Sequence, residues 1–516
     1  MAMTASDAPP DLDAPAGRAD DAAADARPLW RPIPGSALWG WLGPLAVTLF
    51  AFGLRFYRLA TPAKTAFDEV YYSCDAWTLW NYGYEHAHRP ENVCIIDKSP
   101  DPAYVVHPPL GKWLIGIGEG IFGYNPNGGS QAAFGWRISA CVFGALSVLI
   151  LARMARRMFR STLLGCLAGG LLALDGLHFV QSRMAMLDIF LTFFIVAAAA
   201  ALVADRDWGR RRLSERLSED RSYPGPKLGV RPWRLATAVL LGLACGVKWS
   251  AVYVIPVFGL VSFAWDVGAR RAAGIPKPFR AAFQRDFVWT MLVFATLPVV
   301  AYTATWTGWF VTDHGWRRSC GDERFRDGCG PIAGWIKYHR QVYEFHVHLK
   351  SDHTYESKPW GWLALARPVA YFYETPRPGT SKAILGIGTP AIWWGSIVAL
   401  VGCVWGWVSR RDWRAAFILV AFAVNYLPWF WPSGRTEFLF YALPAVPFMC
   451  LALTFCAGLA LGRPDASPVR KQVGAAAVGT YALLVVVNFF YLYPILTAQV
   501  IDYSSWRSRM WFSSWI

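Results

Sequence analysis

Eleven runs of mostly apolar residues punctuate the chain at approximately 38–58, 134–153, 163–181, 184–204, 233–247, 249–267, 287–308, 389–408, 414–431, 438–460 and 472–493. Each is near the ~20 residues that cross a ~30 Å hydrocarbon core as a helix, so the pattern predicts an all-α polytopic membrane protein. Residues 1–30 break the pattern. They are rich in Ala, Asp and Pro, have no periodicity and carry no aromatic residue before Trp30, which predicts a disordered tail. A signal peptide is excluded there, because no basic stretch precedes an apolar one.

Orientation follows from the placement of Lys and Arg. Loops after the second, fourth, sixth, eighth and tenth runs are densely basic, whereas the short loops on the other side hold one basic residue apiece: Arg183, Lys248 and Arg435. The positive-inside rule then puts the N-terminus in the cytoplasm and the C-terminal stretch outside. Two long loops, 59–133 and 309–388, fall on the outer side, where a site would face an extracytoplasmic space at the cell membrane.

Composition narrows the class further. Hydrophobic residues make up 55% of the chain and charged residues 16%, well below the ~25% of ordinary globular chains, which excludes a soluble globular protein and a wholly disordered one. The net charge of +15 would suggest a nucleic-acid partner. That reading is rejected, because the basic residues sit in loops between spans. No P-loop, Cys-x-x-Cys or His-Glu-x-x-His motif is present, so a nucleotide-driven pump or a soluble-type metalloenzyme has no support. Each outer loop holds one cysteine pair, Cys74 with Cys94 and Cys320 with Cys329. Disulfides and free thiols are both open readings of each pair.

Candidate chemistry gathers at the outer boundary. Asp68 and Glu69 directly follow the first span, and His107-Pro108-Pro109-Leu110-Gly111-Lys112 opens a short apolar segment suited to an interfacial helix. Arg137, Arg183, Asp188 and Lys248 lie within or at the outer ends of spans, where ionisable groups are expensive and mark function or a specific ion pair. Arg183 and Asp188 are close enough in sequence to pair structurally. His346, His348 and His353 are candidate acceptor-site or metal residues, with a solvated loop as the simpler reading.

Together these residues resemble the protein O-mannosyltransferases, polyprenyl-phosphate-mannose-dependent members of the membrane GT-C glycosyltransferases, in the bacterial, actinobacterial form. The resemblance runs from about residue 38 to 500. It rests on Phe67-Asp68-Glu69, His107 to Lys112, Leu174-Asp175-Gly176, Gln181-Ser182-Arg183, Leu187-Asp188, Gly246-Val247-Lys248-Trp249, His353 to Trp362, Arg435 and Tyr441 to Ala445. The second outer loop is too short for the β-trefoil domain that eukaryotic members insert there, so their acceptor recognition does not carry over. On this resemblance residues 31–516 form one GT-C catalytic unit with two large extracytoplasmic loops.

The resemblance implies mannose transfer from a polyprenyl-phosphate mannose to Ser or Thr hydroxyls of exported proteins. It implies neither an additional cofactor nor an obligatory metal, and it makes the secretion translocon and membrane lipids candidate partners. A hydroxyl is a poor nucleophile, so a positioned carboxylate takes its proton, and a phosphate leaving group needs fixed cations rather than an acid. We assign Asp68 as base and Glu69 as partner of Arg137, although the two adjacent carboxylates alone do not fix that order. Arg183, Lys248 and Arg435 are expected at the donor phosphate, with snorkelling to headgroups as the alternative. His107, Lys112, Asp188, His346, His353 and Tyr441 are expected around donor or acceptor. The rival readings are a GT-C transferase of another lipid-linked sugar to a lipid or wall polysaccharide, and a transporter, the latter lacking any internal repeat to support it.

The topology is testable by labelling. A cysteine introduced at Ser130 should react with an impermeant thiol reagent in intact cells and one at Ser214 should not; reversed labelling would overturn the orientation.

Overall fold

The computed structural model describes residues 29–87, 101–219, 222–431, 434–463 and 465–516. The expectation for the N-terminal tail therefore lies almost wholly outside the described residues. Helix α1 (Ala37–Phe56) leads into two helices of the first long loop, α2 (Glu69–Tyr82) and α3 (Leu110–Phe122). Next come α4 (Ser130–Phe159), α5 (Thr162–Ala173), α6 (Leu187–Leu217), α7 (Pro232–Val247), α8 (Trp249–Ala272) and α9 (Pro278–Thr305). The second long loop carries α10 (Ala333–His348) and the strands β1 (Val369–Glu374) and β2 (Thr380–Gly386). Helices α11 (Pro390–Arg410), α12 (Trp413–Phe430), α13 (Leu439–Leu461) and α14 (Pro468–Leu496) precede strand β3 (Val500–Asp502).

Among the described residues nine helices are long and apolar enough to cross a membrane, while α5 and α7 are shorter. These two stand where the third and fifth apolar runs were expected to span, and the reason differs for each. The third run breaks at Asp175, whose buried carboxylate accepts from the backbone N–H of His178 and so caps a separate helix, Gly176–Gln181. Thr389 N and Trp393 Nε1 donate to the same carboxylate, which supplies the freed polar groups with partners inside the protein. The fifth run ends because Lys248 is extended, at φ −148° and ψ 140°, before the 3-10 turn Trp249–Tyr253 that starts α8.

Helices α6 and α13 are enclosed by the others, which fits their apolar character on every side, while α1, α9 and α14 keep most of their surface outward, as lipid-facing helices do. At the end of the bundle away from Lys248, Arg231 and Arg234 share Asp205 and Asp266 and tie α6, α7 and α8 together. At the other end α3 lies close against α4: a Cβ at Gly118 would fall 2.3 Å from the carbonyl oxygen of Gly135. The glycine-rich sequence IGIGEG thus sets how near the outer helices sit to the spans.

The helical architecture expected from the apolar runs acquires a small antiparallel sheet in the order β1-β2-β3. Strands VAYFYE and TSKAILG are rich in β-branched and aromatic residues and flank Thr375-Pro376-Arg377-Pro378-Gly379, with Gly379 at φ +75°, a hairpin pattern inside what the hydropathy reading treats as a connection. The C-terminal stretch docks on the same side. Arg367 donates to the carbonyls of Ser514 and Ile516, and Trp515 Nε1 to that of Leu365. Cys320 and Cys329 form a disulfide. The Cys74 and Cys94 pair, for which both readings are open, includes residue 94, which lies outside the described residues.

Candidate active site

The site is organised by a guanidinium. Arg137, fully buried on α4, has all five N–H donors engaged: Nε and one terminal nitrogen reach Glu69 at 2.7 and 2.6 Å, and the remaining donors reach the carbonyls of Leu59, Pro62 and Lys64. Glu69 is equally occupied, since it also accepts from the backbone N–H groups of Ala66 at 3.0 Å and Ala185 at 2.8 Å. Asp68, one residue earlier, is half-buried and lines a cavity of about 680 Å³. The Tyr72 hydroxyl, one helical turn along, donates to it at 3.5 Å. Burial pushes the Asp68 carboxyl up to about 6; Lys248 opposes that rise and Asp188 adds to it.

Lys248 Nζ lies 3.0 and 2.8 Å from the two carboxylate oxygens of Asp188, so Asp188 pairs with Lys248, and the alternative pairing with Arg183 that sequence spacing allowed is not the one formed. The break after α7 brings this lysine back towards the first turn of α6. Its ammonium also stands 5.7 Å from the centre of the Tyr441 ring. Arg435 lines the cavity and packs 5.9 Å from the rings of Trp429 and Tyr441. Its Nε is buried without a hydrogen-bond partner, and among the described residues no carboxylate lies within ion-pair distance of it. An arginine in that state is prepared to receive an anion.

Of the other expected residues, His107, Lys112, His346 and Tyr441 also line the cavity. Lys112 is buried in an ion pair with Glu85 and stands 3.9 Å from Asp75, holding α3 to α2 and the segment that follows it. His107 and His346 stack at 5.4 Å, and His346 Nε2 meets the Val106 carbonyl at 2.8 Å. Burial lowers both rings well below the usual imidazole range, His346 to about 4, so both are neutral at ordinary pH. His346 and His348 diverge, for His348 is exposed and its Nδ1 meets the Glu344 carbonyl of its own helix. His353 is not in the cavity wall; it packs edge-on against Phe438 at 5.0 Å.

Arg183 is the clear correction. Its guanidinium donates to the carbonyls of Leu54, Arg55, Tyr57 and Arg58 at 3.4, 2.5, 2.7 and 3.0 Å, at and just beyond the C-terminal end of α1, where helix carbonyls lack an intrahelical donor; the Arg58 carbonyl also accepts from the Thr61 N–H. It closes a helix end; neither it nor the Lys248–Asp188 pair is in the cavity wall. Sequence reasoning missed the wall residues Tyr72, Asp75, Tyr104, Trp316 and Arg324. Tyr72 had a readable signal, four residues after Asp68 on a helix; Trp316 and Arg324 arrive from a remote loop and had none.

Residues 103–307 match the family described as dolichyl-phosphate-mannose-protein mannosyltransferase, and residues 331–515 match the C-terminal four TMM region of protein-O-mannosyltransferase. The polyprenol-phosphate-mannose–protein mannosyltransferase of Mycolicibacterium smegmatis is 38% identical over 500 residues, spanning 92% of this chain and 93% of that protein. The chain belongs to the protein O-mannosyltransferase family. The Corynebacterium glutamicum member is 35% identical over 491 residues, spanning 91% of this chain and 92% of its own length. The fold is that of the Saccharomyces cerevisiae protein O-mannosyltransferase Pmt1-Pmt2 complex bound to the sugar donor, with a TM-score of 0.72 at 15% identity over 94% of this chain and 95% of that one. These are membrane glycosyltransferases of the GT-C class.

If Arg183 only closes α1, Arg183→Met removes the side-chain donor from the carbonyls of Leu54, Arg55 and Tyr57, of which the buried Arg55 carbonyl costs most, about 1–3 kcal/mol. The expected outcome is a lowered thermal unfolding midpoint in detergent with an unchanged KM for the lipid-linked donor in the folded fraction. A raised donor KM at unchanged stability would return Arg183 to the phosphate site.

Proposed function

We propose that this family member transfers mannose from a polyprenyl-phosphate mannose to Ser or Thr hydroxyls of exported proteins, with Asp68 as general base. The observation that carries the reading is the division of labour between neighbours: Glu69 is fully engaged by Arg137 and two backbone N–H groups, while Asp68 opens on the cavity. The acceptor hydroxyl attacks the anomeric carbon as its proton passes to Asp68. The bond from that carbon to the phosphate oxygen breaks with its electron pair, leaving polyprenyl phosphate. A single displacement inverts the anomeric centre.

Charge grows on the phosphate during this step, so cations fixed in advance stabilise the transition state more than the ground state. Arg435 is the better-prepared partner, because Lys248 is already shared with Asp188. Neutral His107 and His346 supply hydrogen bonds without adding charge, and Tyr441 holds the aromatic wall beside both cations. The dense basic loops support an arrangement in which this cavity faces the outer side of the plasma membrane, the N-terminus is cytoplasmic and the C-terminus outside. Emerging chains from the secretion translocon would then meet the site. The reaction as written uses the lipid-linked donor and this chain's own groups, with no further cofactor.

Two measurements test the base. Asp68→Asn should lower mannosyl transfer at least ~100-fold, at the low end for general-base catalysis, while the protein stays folded; near wild-type transfer would sink the assignment. The base works ionised and its carboxyl titrates near 6, so kcat/KM in the wild type should fall about tenfold per pH unit below pH ~6 and level off above it. A profile flat down to pH 4 would contradict that titration.

A further inference from the structure

Phe67, immediately before Asp68, has φ +54°. For a bulky side chain that left-handed conformation is a genuine outlier and persists only where surrounding structure imposes it. The surroundings are specific. The Phe67 ring sits 4.9 Å from Tyr371 on β1, 5.9 Å from Phe440, and 6.4 Å from both Phe438 and His353, edge-on to the last three. Phe438 and Phe440 stack on each other at 5.4 Å, and the Tyr371 hydroxyl accepts from buried Gln181 at 2.6 Å. The box is therefore assembled from segments remote in sequence and is itself braced.

The backbone on either side is fixed independently. Arg137 holds the Lys64 carbonyl, Glu69 Oε2 holds the Ala66 N–H, and the Glu69 N–H returns to the Ala66 carbonyl at 3.2 Å. Between these clamps the conformation at residue 67 decides where Asp68 points. Relaxing to an ordinary negative φ would turn the chain about that bond by roughly 115°.

We propose that Phe67 is a positioning residue: its ring, seated in the Tyr371–Phe438–Phe440–His353 box, holds residue 67 in the left-handed region and thereby aims Asp68 into the cavity. This rests on Asp68 being the base. The box transmits the packing of the outer sheet and of the segment before α13 to the reacting group, although none of its members touches substrate in this role.

The test separates backbone aiming from simple core packing, because glycine reaches positive φ freely while alanine does not. Phe67→Ala should lower kcat at least tenfold, with KM for donor and for acceptor each within twofold of wild type. Phe67→Gly removes the same ring yet should retain a several-fold higher kcat than Phe67→Ala, even at lower thermal stability. An ordinary core residue would give the opposite order. Phe438→Leu, which weakens the box and leaves residue 67 unchanged, should also lower kcat, and it alone decides the matter if the Phe67 variants do not fold. The inference is overturned by wild-type kcat in Phe67→Ala or in Phe438→Leu, by Phe67→Gly no more active than Phe67→Ala, or by a defect confined to KM. Asp68→Asn measured in parallel keeps the two readings apart: an active Asp68→Asn removes the base, whereas an inactive one beside an unaffected Phe67→Ala removes only the positioning role.

Discussion

Arg137 and Glu69 form an ion pair with no exposed surface, and the outer layer depends on it. Two charges withdrawn from water at a membrane boundary persist only if their geometry is good and their remaining donors and acceptors are satisfied. Here they are, because the arginine fork also gathers three carbonyls of the 59–64 segment and the carboxylate gathers two amides. The pair therefore works as a knot in the backbone rather than as a source of net stability. It fixes the turn from α1 into α2, and with it the one carboxylate of the adjacent two that reaches the cavity.

Around that knot, charge is distributed unevenly. Lys248 and Asp188 neutralise each other, and Lys112 is matched by Glu85. Arg435 has no ion-paired acid among the described residues, and Asp68 has the charge of Lys248 and the Tyr72 hydroxyl to offset its burial. The two unbalanced groups have opposite sign and share one wall system. Such a site favours a reaction in which a proton arrives at one position while negative charge appears at another, and it offers little to a reaction without charge separation.

Much of this was legible in the chain because the signals were local or compositional. Apolar runs and basic loops located the helices, and adjacency in sequence delivered Asp68 and Glu69 together. The partnership with Arg137 was legible because a lone arginine in an apolar span must have a counterpart. The break at Asp175 was not, since it depends on Thr389 and Trp393 from the far end of the chain. Arg183 was misplaced for a related reason: orphan carbonyls at a helix end attract a guanidinium as readily as a phosphate does, and sequence does not say which is nearer. The hairpin at β1 and β2 carried its turn signal but was masked by the assumption that a loop between spans only connects them.

The three-stranded sheet has a consequence for how the chain assembles. Strand β2 is made early, yet its neighbour β3 follows only after α11, α12, α13 and α14 have been synthesised and inserted. Until then β2 presents unpaired backbone groups along one edge, a surface that invites pairing with any other extended chain nearby. Contacts this distant in sequence are slow to form. The nascent chain thus passes through a stage in which another extended segment can occupy the seat of β3, so shielding of that edge during biogenesis is a requirement set by the topology.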